Sequence, residues 1–313
     1  MLLPRGLICP LLTPLKPNGE IDTVGLKQLW EYVVPHVDGL SLGSSFSLEG
    51  VYLNCEQKQA LFKIVSGFWD EKTPLFLNIT GVDEACTLQL AQLTATLFAS
   101  HLDKVVIEVL PLWYRSNRGL PQHLDNLHLQ TKATFVIANH PLIIKQKRPF
   151  LKHANIRTAV FKKIAQRKFV KGIIFQGDLN RFFNYQHALH GRDDFSFYEG
   201  DEVSFLNQPT SDGVVAFTAN FVPVLWEKLV KQVLNPAGIA KNDSTAIFAL
   251  GEKLRELQNI CASSPAMLKW ALGEMGILKE VYSPVPLSSE ENLKKLKQWL
   301  SKYGMPSNPE SQV

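Results

Sequence analysis

Apolar positions in this chain gather into short runs, and longer amphipathic stretches separate them. The runs occupy residues 7–13, 39–43, 74–79, 104–110, 134–138, 169–175, 195–198 and 214–218. They are short and often β-branched, as expected of strands buried on both faces. Between most of them the apolar residues recur with a helical period. Residues 24–34 place Leu26, Leu29, Trp30 and Val33 on one face, and residues 56–68 do the same with Leu61, Ile64, Val65 and Phe68. Residues 85–98 repeat the pattern with Leu88, Leu90, Ala91, Leu93 and Leu97. Eight strands alternating with helices predict an α/β chain folded as a (β/α)8 TIM barrel. An open doubly wound sheet is the alternative; it is disfavoured because no G-x-G-x-x-G turn follows any run.

Beyond Asn220 the pattern becomes helical. Residues 222–234, 245–262 and 264–275 read as helices, followed by a link with Pro284 and Pro286. A last helix spans 289–302, with Ser288, Ser289 and Glu291 as capping residues near its start. The division expected is a barrel over 1–221, a helical extension packed on it over 222–305, and a polar, frayed tail over 306–313.

Length agrees with this division. A barrel of this kind needs roughly 250 residues, and 313 leave room for an extension. With 45% hydrophobic and 20% charged residues, the chain reads as a soluble globular protein. The net charge is +4, and its one dense basic stretch runs from Lys145 to Lys168. Few aromatic residues interleave with it, so it reads as a solvated face and not as a nucleic-acid platform. No apolar run approaches the ~20 residues of a membrane span, and no signal peptide is evident. The four cysteines, Cys9, Cys55, Cys86 and Cys261, lie far apart without metal-ligand spacing. They suggest no disulfide framework, which makes a reducing cytoplasm the expected location.

In such a barrel the chemistry sits at the C-terminal ends of the strands. There the sequence offers Gly43-Ser44-Ser45 as a cradle for a small carboxylate, although those serines suit a self-bonded turn equally well. His140 follows the fifth run, and Asp201 the seventh; either is a candidate acid or base. His187 and His190 are spaced for one helix face but lack further ligands, so no metal is expected. No P-loop, G-x-S-x-G elbow or H-E-x-x-H is present, and no cofactor is implied.

Several segments carry a resemblance. They are the opening Gly6-Leu7-Ile8-Cys9-Pro10-Leu11-Leu12-Thr13-Pro14-Leu15 and Asn18-Gly19-Glu20-Ile21-Asp22, then Gly43-Ser44-Ser45 and Leu53-Asn54-Cys55-Glu56-Gln57. Pro111-Leu112-Trp113-Tyr114, Gly200-Asp201, Ser211-Asp212-Gly213-Val214-Val215, Ala219-Asn220 and the Pro265–Lys269 helix complete the set. In this order and spacing the chain resembles the dihydrodipicolinate synthase / N-acetylneuraminate lyase family of Schiff-base aldolases. That resemblance implies a pyruvate-type 2-oxo acid held as an imine by a lysine on the sixth strand. It also implies a proton-relaying tyrosine ending the fifth strand, and a hydroxyl-rich loop for the carboxylate. Here Ser44 and Ser45 keep the hydroxyls, and Val215 falls among the ligand-facing positions.

The rest of the set departs from the family. The lysine position is Ile174 and the tyrosine position is Ala138. Leu142-Ile143-Ile144 replaces the arginine that usually follows, and Glu49 is displaced by insertion. Lys171 is an odd number of residues from Ile174 and should face away from the barrel interior. The reading is therefore a degenerate member without Schiff-base chemistry. It would bind a small carboxylate or 2-oxo acid, or serve as a structural or regulatory partner. The alternative is a lyase or aldolase of altered mechanism, with His140, Asp201 or Tyr114 doing acid–base work. The family also implies a homo-oligomer, dimer or tetramer, with Trp113 or Tyr114 at an interface; neither nucleic acid nor membrane is expected as a partner.

Overall fold

A computed structural model describes residues 2–112, 117–209, 211–235, 241–261, 264–286 and 289–303. Among them eight parallel strands close a barrel in chain order: β1 (Gly6–Leu11), β2 (Gly39–Leu42), β3 (Leu75–Asn78), β4 (Val105–Val109), β5 (Thr134–Asn139), β6 (Val170–Phe175), β7 (Ser196–Glu199) and β8 (Gly213–Val215). Each strand coincides with one of the eight apolar runs. Closure is made by β8 on β1, with Leu7 opposite Val214 and Ile8 opposite Val215. Thr218 lies outside the last strand, in the 3-10 turn Phe217–Asn220. Asn220 stitches that turn to β1: its Oδ1 accepts from Leu12 N at 2.9 Å and its Nδ2 donates to Pro10 O at 3.0 Å.

The helices of the first half are α1 (Thr23–Val33), α2 (Cys55–Ser66), α3 (Glu84–Leu97) and α4 (Leu120–Thr131). α2 begins with a capping box in which Asn54 and Gln57 exchange side-chain and backbone bonds of 2.8 and 2.9 Å. Two helices fill the gap between β5 and β6, α5 (Pro141–Lys147) and α6 (Thr158–Ala165). Pro149 lies in the break between them, where it cannot continue a helix. α7 (Leu179–Ala188) follows β6 and the short α8 (Glu202–Asn207) follows β7.

α9 (Pro223–Leu234) packs against β1 and β8 and so takes the place of the eighth barrel helix. The helical region expected from residue 222 thus divides between this barrel helix and an extension. The extension consists of α10 (Lys241–Cys261), α11 (Pro265–Glu274) and α12 (Glu290–Lys302), with α10 against α8, α9 and α12. Ser289 caps α12, accepting from Asn292 N at 3.0 Å. The tail from 306 and Ser288 lie outside the described residues.

Strand alternation separates two apolar layers. On β6, Ile173 and Phe175 face the helices, while Ile174 joins an inner cluster with Ile8, Phe76, Val106, Val136 and Tyr198. Each large apolar side chain buried in this way contributes about 1.5–3 kcal/mol. Lys171 lies away from that cluster and pairs with Asp194. The basic stretch is built into the surface: Arg167 forms a two-pronged pair with Asp125, both bonds 2.7 Å, and the Lys147 ammonium rests 4.1 Å from the Tyr52 ring centre.

One expectation is corrected here. α2 and α3 lie side by side, and this brings Cys55 and Cys86 together as a disulfide with Cα atoms 5.8 Å apart. The sequence interval hid the pair because each cysteine occupies the first turns of its own helix. Cys9 and Cys261 are free and buried. No helix among the described residues is long and apolar enough to cross a membrane.

Candidate functional site

The mouth of the barrel is shaped by the loop after β2. Ser44 caps the short 3-10 turn Ser45–Ser47, accepting from Phe46 N at 3.3 Å. Its hydroxyl donates inward to Glu108, at 3.0 and 3.1 Å from the two carboxylate oxygens. Ser41 Oγ at 2.5 Å and Asn78 Nδ2 at 2.7 Å complete the set around the same carboxyl. Next to this cluster Lys58, from α2, donates to Thr80 O at 2.8 Å and to Asn78 O and Oδ1 at 3.3 and 3.2 Å. Burial raises the pKa of Glu108, opposed by these hydrogen bonds and by Lys58. Burial lowers Lys58 to about 7, opposed by Glu108.

The chain's own carboxyl group therefore occupies the cradle expected at Ser44. A second carboxylate would have to displace Glu108 or share with it the one neighbouring ammonium described there, Lys58. Ser45 is buried as well, and its hydroxyl has no hydrogen-bond partner among the described residues. Sequence reasoning missed both Glu108 and Lys58. The signal for Glu108 was present: a glutamate in the middle of the apolar run 104–110 must be buried, and a buried carboxyl needs donors.

Phe46 follows these serines and plugs the mouth. Its ring lies 4.7 Å from the His140 ring. It lies so close to Gly200 that a Cβ there would meet Phe46 Cε1 at 2.4 Å and Ile174 Cγ2 at 3.1 Å. Glycine at 200 is what allows this approach. Ile174 and Ala138 sit below the plug in the inner cluster, both fully buried.

Outside the plug is a cavity of about 360 Å³. Phe46, Leu48, Leu142, Ile143, Val215 and Phe217 give it apolar walls, and its polar lining includes His140, Gln176, Asp201, Glu202 and Gln258. The predicted residues His140, Asp201 and Val215 thus meet in one place. Ser44, Ser45, Ile174 and Ala138 are not part of its wall. Tyr114 and Trp113 lie outside the described residues.

His140 is only 4% exposed. It caps α5 through Nδ1, which accepts from Ile143 N at 3.5 Å. With Nδ1 as acceptor, the neutral ring carries its proton on Nε2. Burial lowers the ring's pKa to about 4, so it is uncharged at neutral pH. Asp201 caps α8, accepting from Ser204 N through Oδ1 at 2.7 Å. Glu202 accepts from Thr218 N at 2.6 Å and Thr218 Oγ1 at 2.8 Å, and Trp226 Nε1 donates to that hydroxyl at 2.8 Å. Burial raises Glu202 to about 7 and neighbouring Glu199 to about 8.

A third buried group fixes the far end of the loop. Glu49 pairs with Lys269 of α11 at 2.6 Å, both side chains fully enclosed. Thr13 N donates to the same carboxylate at 3.1 Å and Ser283 Oγ at 3.3 Å, while Lys269 also reaches Thr13 O at 2.8 Å. The insertion expected to displace Glu49 leaves it bound to the proline–lysine helix. Among the described residues no group of three or more histidine, cysteine or acidic side chains is placed to hold a metal ion.

The sequence profile described as the dihydrodipicolinate synthetase family matches residues 3–303. A 4-hydroxy-tetrahydrodipicolinate synthase from Psychromonas ingrahamii is 27% identical over 294 residues, covering 90% of this chain and 92% of its own. Dihydrodipicolinate synthase from Bacteroides thetaiotaomicron superposes with a TM-score of 0.80 at 21% identity, over 96% of this chain and 99% of that one. N-acetylneuraminate lyase from Fusobacterium nucleatum superposes with a TM-score of 0.78 at 16% identity, over the same shares. At these identities the two superpositions speak for the barrel fold.

Proposed function

Because the chain belongs to the dihydrodipicolinate synthetase family, we propose that it keeps the family's barrel as a small-molecule binding fold without Schiff-base chemistry. The observation that carries this reading is Ile174. It stands at the position matched to the imine lysine, enclosed by apolar side chains and roofed by Phe46. Imine formation needs a neutral amine beside a bound carbonyl. Among the described residues no lysine lines the cavity at the mouth. The two fully enclosed lysines, Lys58 and Lys269, are held by backbone oxygens and by neighbouring side chains. A homo-oligomeric state is proposed from the family membership, and a structural or regulatory role beside an active relative is compatible with the reading. A cytoplasmic location is proposed from the family alone, since the Cys55–Cys86 disulfide removes the cysteine argument for it.

A second reading has one observation in its favour. His140 and Asp201 border one cavity, as an acid–base pair acting on a 2-oxo acid without an imine would require. Borohydride reduction in excess pyruvate, followed by intact mass, tests the first reading. The mass should stay unchanged. A stable adduct mapped to a lysine peptide would overturn it, whereas pyruvate turnover without an adduct would favour the second.

A further inference from the structure

Cys55 and Cys86 lie in the opening turns of α2 and α3, helices that both begin on the mouth side of the barrel. The bond between them is unevenly covered. Cys86 is 4% exposed and Cys55 only half-buried, so a reagent from solvent reaches the Cys55 sulfur first. The surroundings of that sulfur suit a thiol as well as a disulfide. Gln89 Oε1 stands 3.6 Å from Cys55 Sγ, and the Cys86 carbonyl oxygen 3.9 Å from it. A disulfide sulfur carries no proton and gives neither oxygen a hydrogen bond, whereas a thiol can donate to either. Gln59 Nε2, 3.6 Å away, is a donor to the sulfur in both states. Opening the bond therefore leaves the Cys55 thiol with polar partners already in place.

The same two helices grip the loop that follows β3. On α2, one turn beyond Cys55, Lys58 donates to Thr80 O and to Asn78. On α3, Thr87 Oγ1 accepts from Gly81 N at 3.0 Å. Gly81 also rests on Cys86, where a Cβ would collide with Cys86 Sγ. Asn78 carries the hold inward: its amide reaches Glu108 at 2.7 Å, and Glu108 takes the Ser44 hydroxyl that caps the turn bearing Phe46. The disulfide thus closes a ring that runs along α2 to Lys58, across the loop through Thr80 and Gly81, and back along α3 from Thr87.

We propose that Cys55 and Cys86 are a reversible thiol–disulfide site, opened in the folded chain by a dithiol, whose closure tightens the loop after β3 and, through Asn78 and Glu108, the turn that bears Phe46. In the opening step a thiolate of the reductant attacks Cys55 Sγ, the bond to Cys86 breaks, and Cys86 leaves with the electron pair. The reductant's second thiol then attacks its own sulfur in the mixed disulfide and releases Cys55. Two electrons and two protons pass to the pair, and the dithiol becomes a disulfide. Which state prevails depends on the thiol poise of the surroundings as well as on the chain. The site operates whether or not the barrel performs imine chemistry.

The test equilibrates the full chain, after air oxidation, in mixtures of reduced and oxidised dithiothreitol at neutral pH. Acid quench and N-ethylmaleimide under denaturing conditions then count free thiols by intact mass. Of the four cysteines two are already free, so the labels should rise from two to four and fall back to two when oxidised reagent is restored. Far- and near-ultraviolet circular dichroism should stay unchanged throughout. Hydrogen exchange by mass spectrometry is compared in the two states. Peptides covering 79–82 and 45–48 should exchange severalfold faster when reduced, and peptides from β6 and β7 equally in both. The double variant Cys55→Ser, Cys86→Ser, checked for folding by a thermal melt, should exchange like the reduced chain in either buffer. Four labels before any reductant would overturn the proposal, as would two labels until the chain unfolds. So would equal exchange of both loop peptides in the two states, or a double variant that still responds to dithiothreitol.

Discussion

A lysine ammonium inside a barrel needs oxygen partners, and the surroundings of residue 174 offer methyl groups and an aromatic ring instead. The packing around position 174 therefore suits an isoleucine. The same region holds a carboxyl group in an unusual state. Glu199 is 8% exposed and accepts from Asp201 N at 3.0 Å. Burial is the main cause that lifts its pKa from 4.5 to about 8, with the Asp201 charge adding to it. A raised folded-state value means that the native chain holds a proton the unfolded chain has lost. The stability this gives is complete below about pH 4.5 and is lost as pH rises through 8. Each pKa unit is worth about 1.4 kcal/mol, so the loss is on the order of several kcal/mol. Glu199→Gln mimics the protonated form at every pH. Relative to the parent, its melting temperature should be similar near pH 5 and clearly higher near pH 8. The other titrating groups are common to both proteins and cancel in the comparison. A difference that stays flat across this range would show that Glu199 ionises normally.

At the level of elements, the loop after β2 and helix α11 behave as one unit. Removing one partner from an enclosed ion pair leaves an uncompensated charge, at a cost of about 3–5 kcal/mol. Lys269→Met should therefore lower stability by that amount in denaturant titrations. Glu49→Gln combined with it should recover part of the loss, and additive losses would contradict a direct pairing. The disulfide joins α2 to α3 in a similar way, and closing a loop of this length is worth about 3–4 kcal/mol in the chain-entropy picture. The sequence carried the elements well, since every strand announced itself as an apolar run and most helices by their period. It carried long-range pairings poorly. Cys55 with Cys86, Glu49 with Lys269 and Ser44 with Glu108 each join segments whose neighbourhood only closure of the barrel creates. Ile174 was legible because alternation along one strand is a local rule. Phe46 was not, because a phenylalanine in a loop has no period to announce where its ring goes.

For the whole molecule, assembly is the property left to experiment. The segment with Trp113 and Tyr114, matched to the family's interface, lies outside the described residues. A homo-oligomer predicts a sedimenting species of at least twice 35.2 kDa at micromolar concentration. A single species of 35.2 kDa would count against a homo-oligomer. The fold itself was readable at this scale, because eight runs in order admit few closed topologies. The C-terminal boundary was less readable: a change from mixed to helical pattern marks the end of strands, and α9 still belongs to the barrel beyond it.

The contact between Lys269 and Thr13 spans 256 residues of chain. Translation at about 5–20 residues per second places roughly 10–50 s between the appearance of its two ends. For most of that interval β1 has no β8 to pair with, and the carboxylate of Glu49 has no Lys269 ammonium to accompany it into the interior. The nascent chain must keep its first strand open at one edge until β8 emerges, and the loop after β2 hydrated until the second-to-last helix follows. Folding of this protein is thus completed from its C-terminal end, and a ribosome that stops short of residue 269 releases a barrel whose entrance is unlatched.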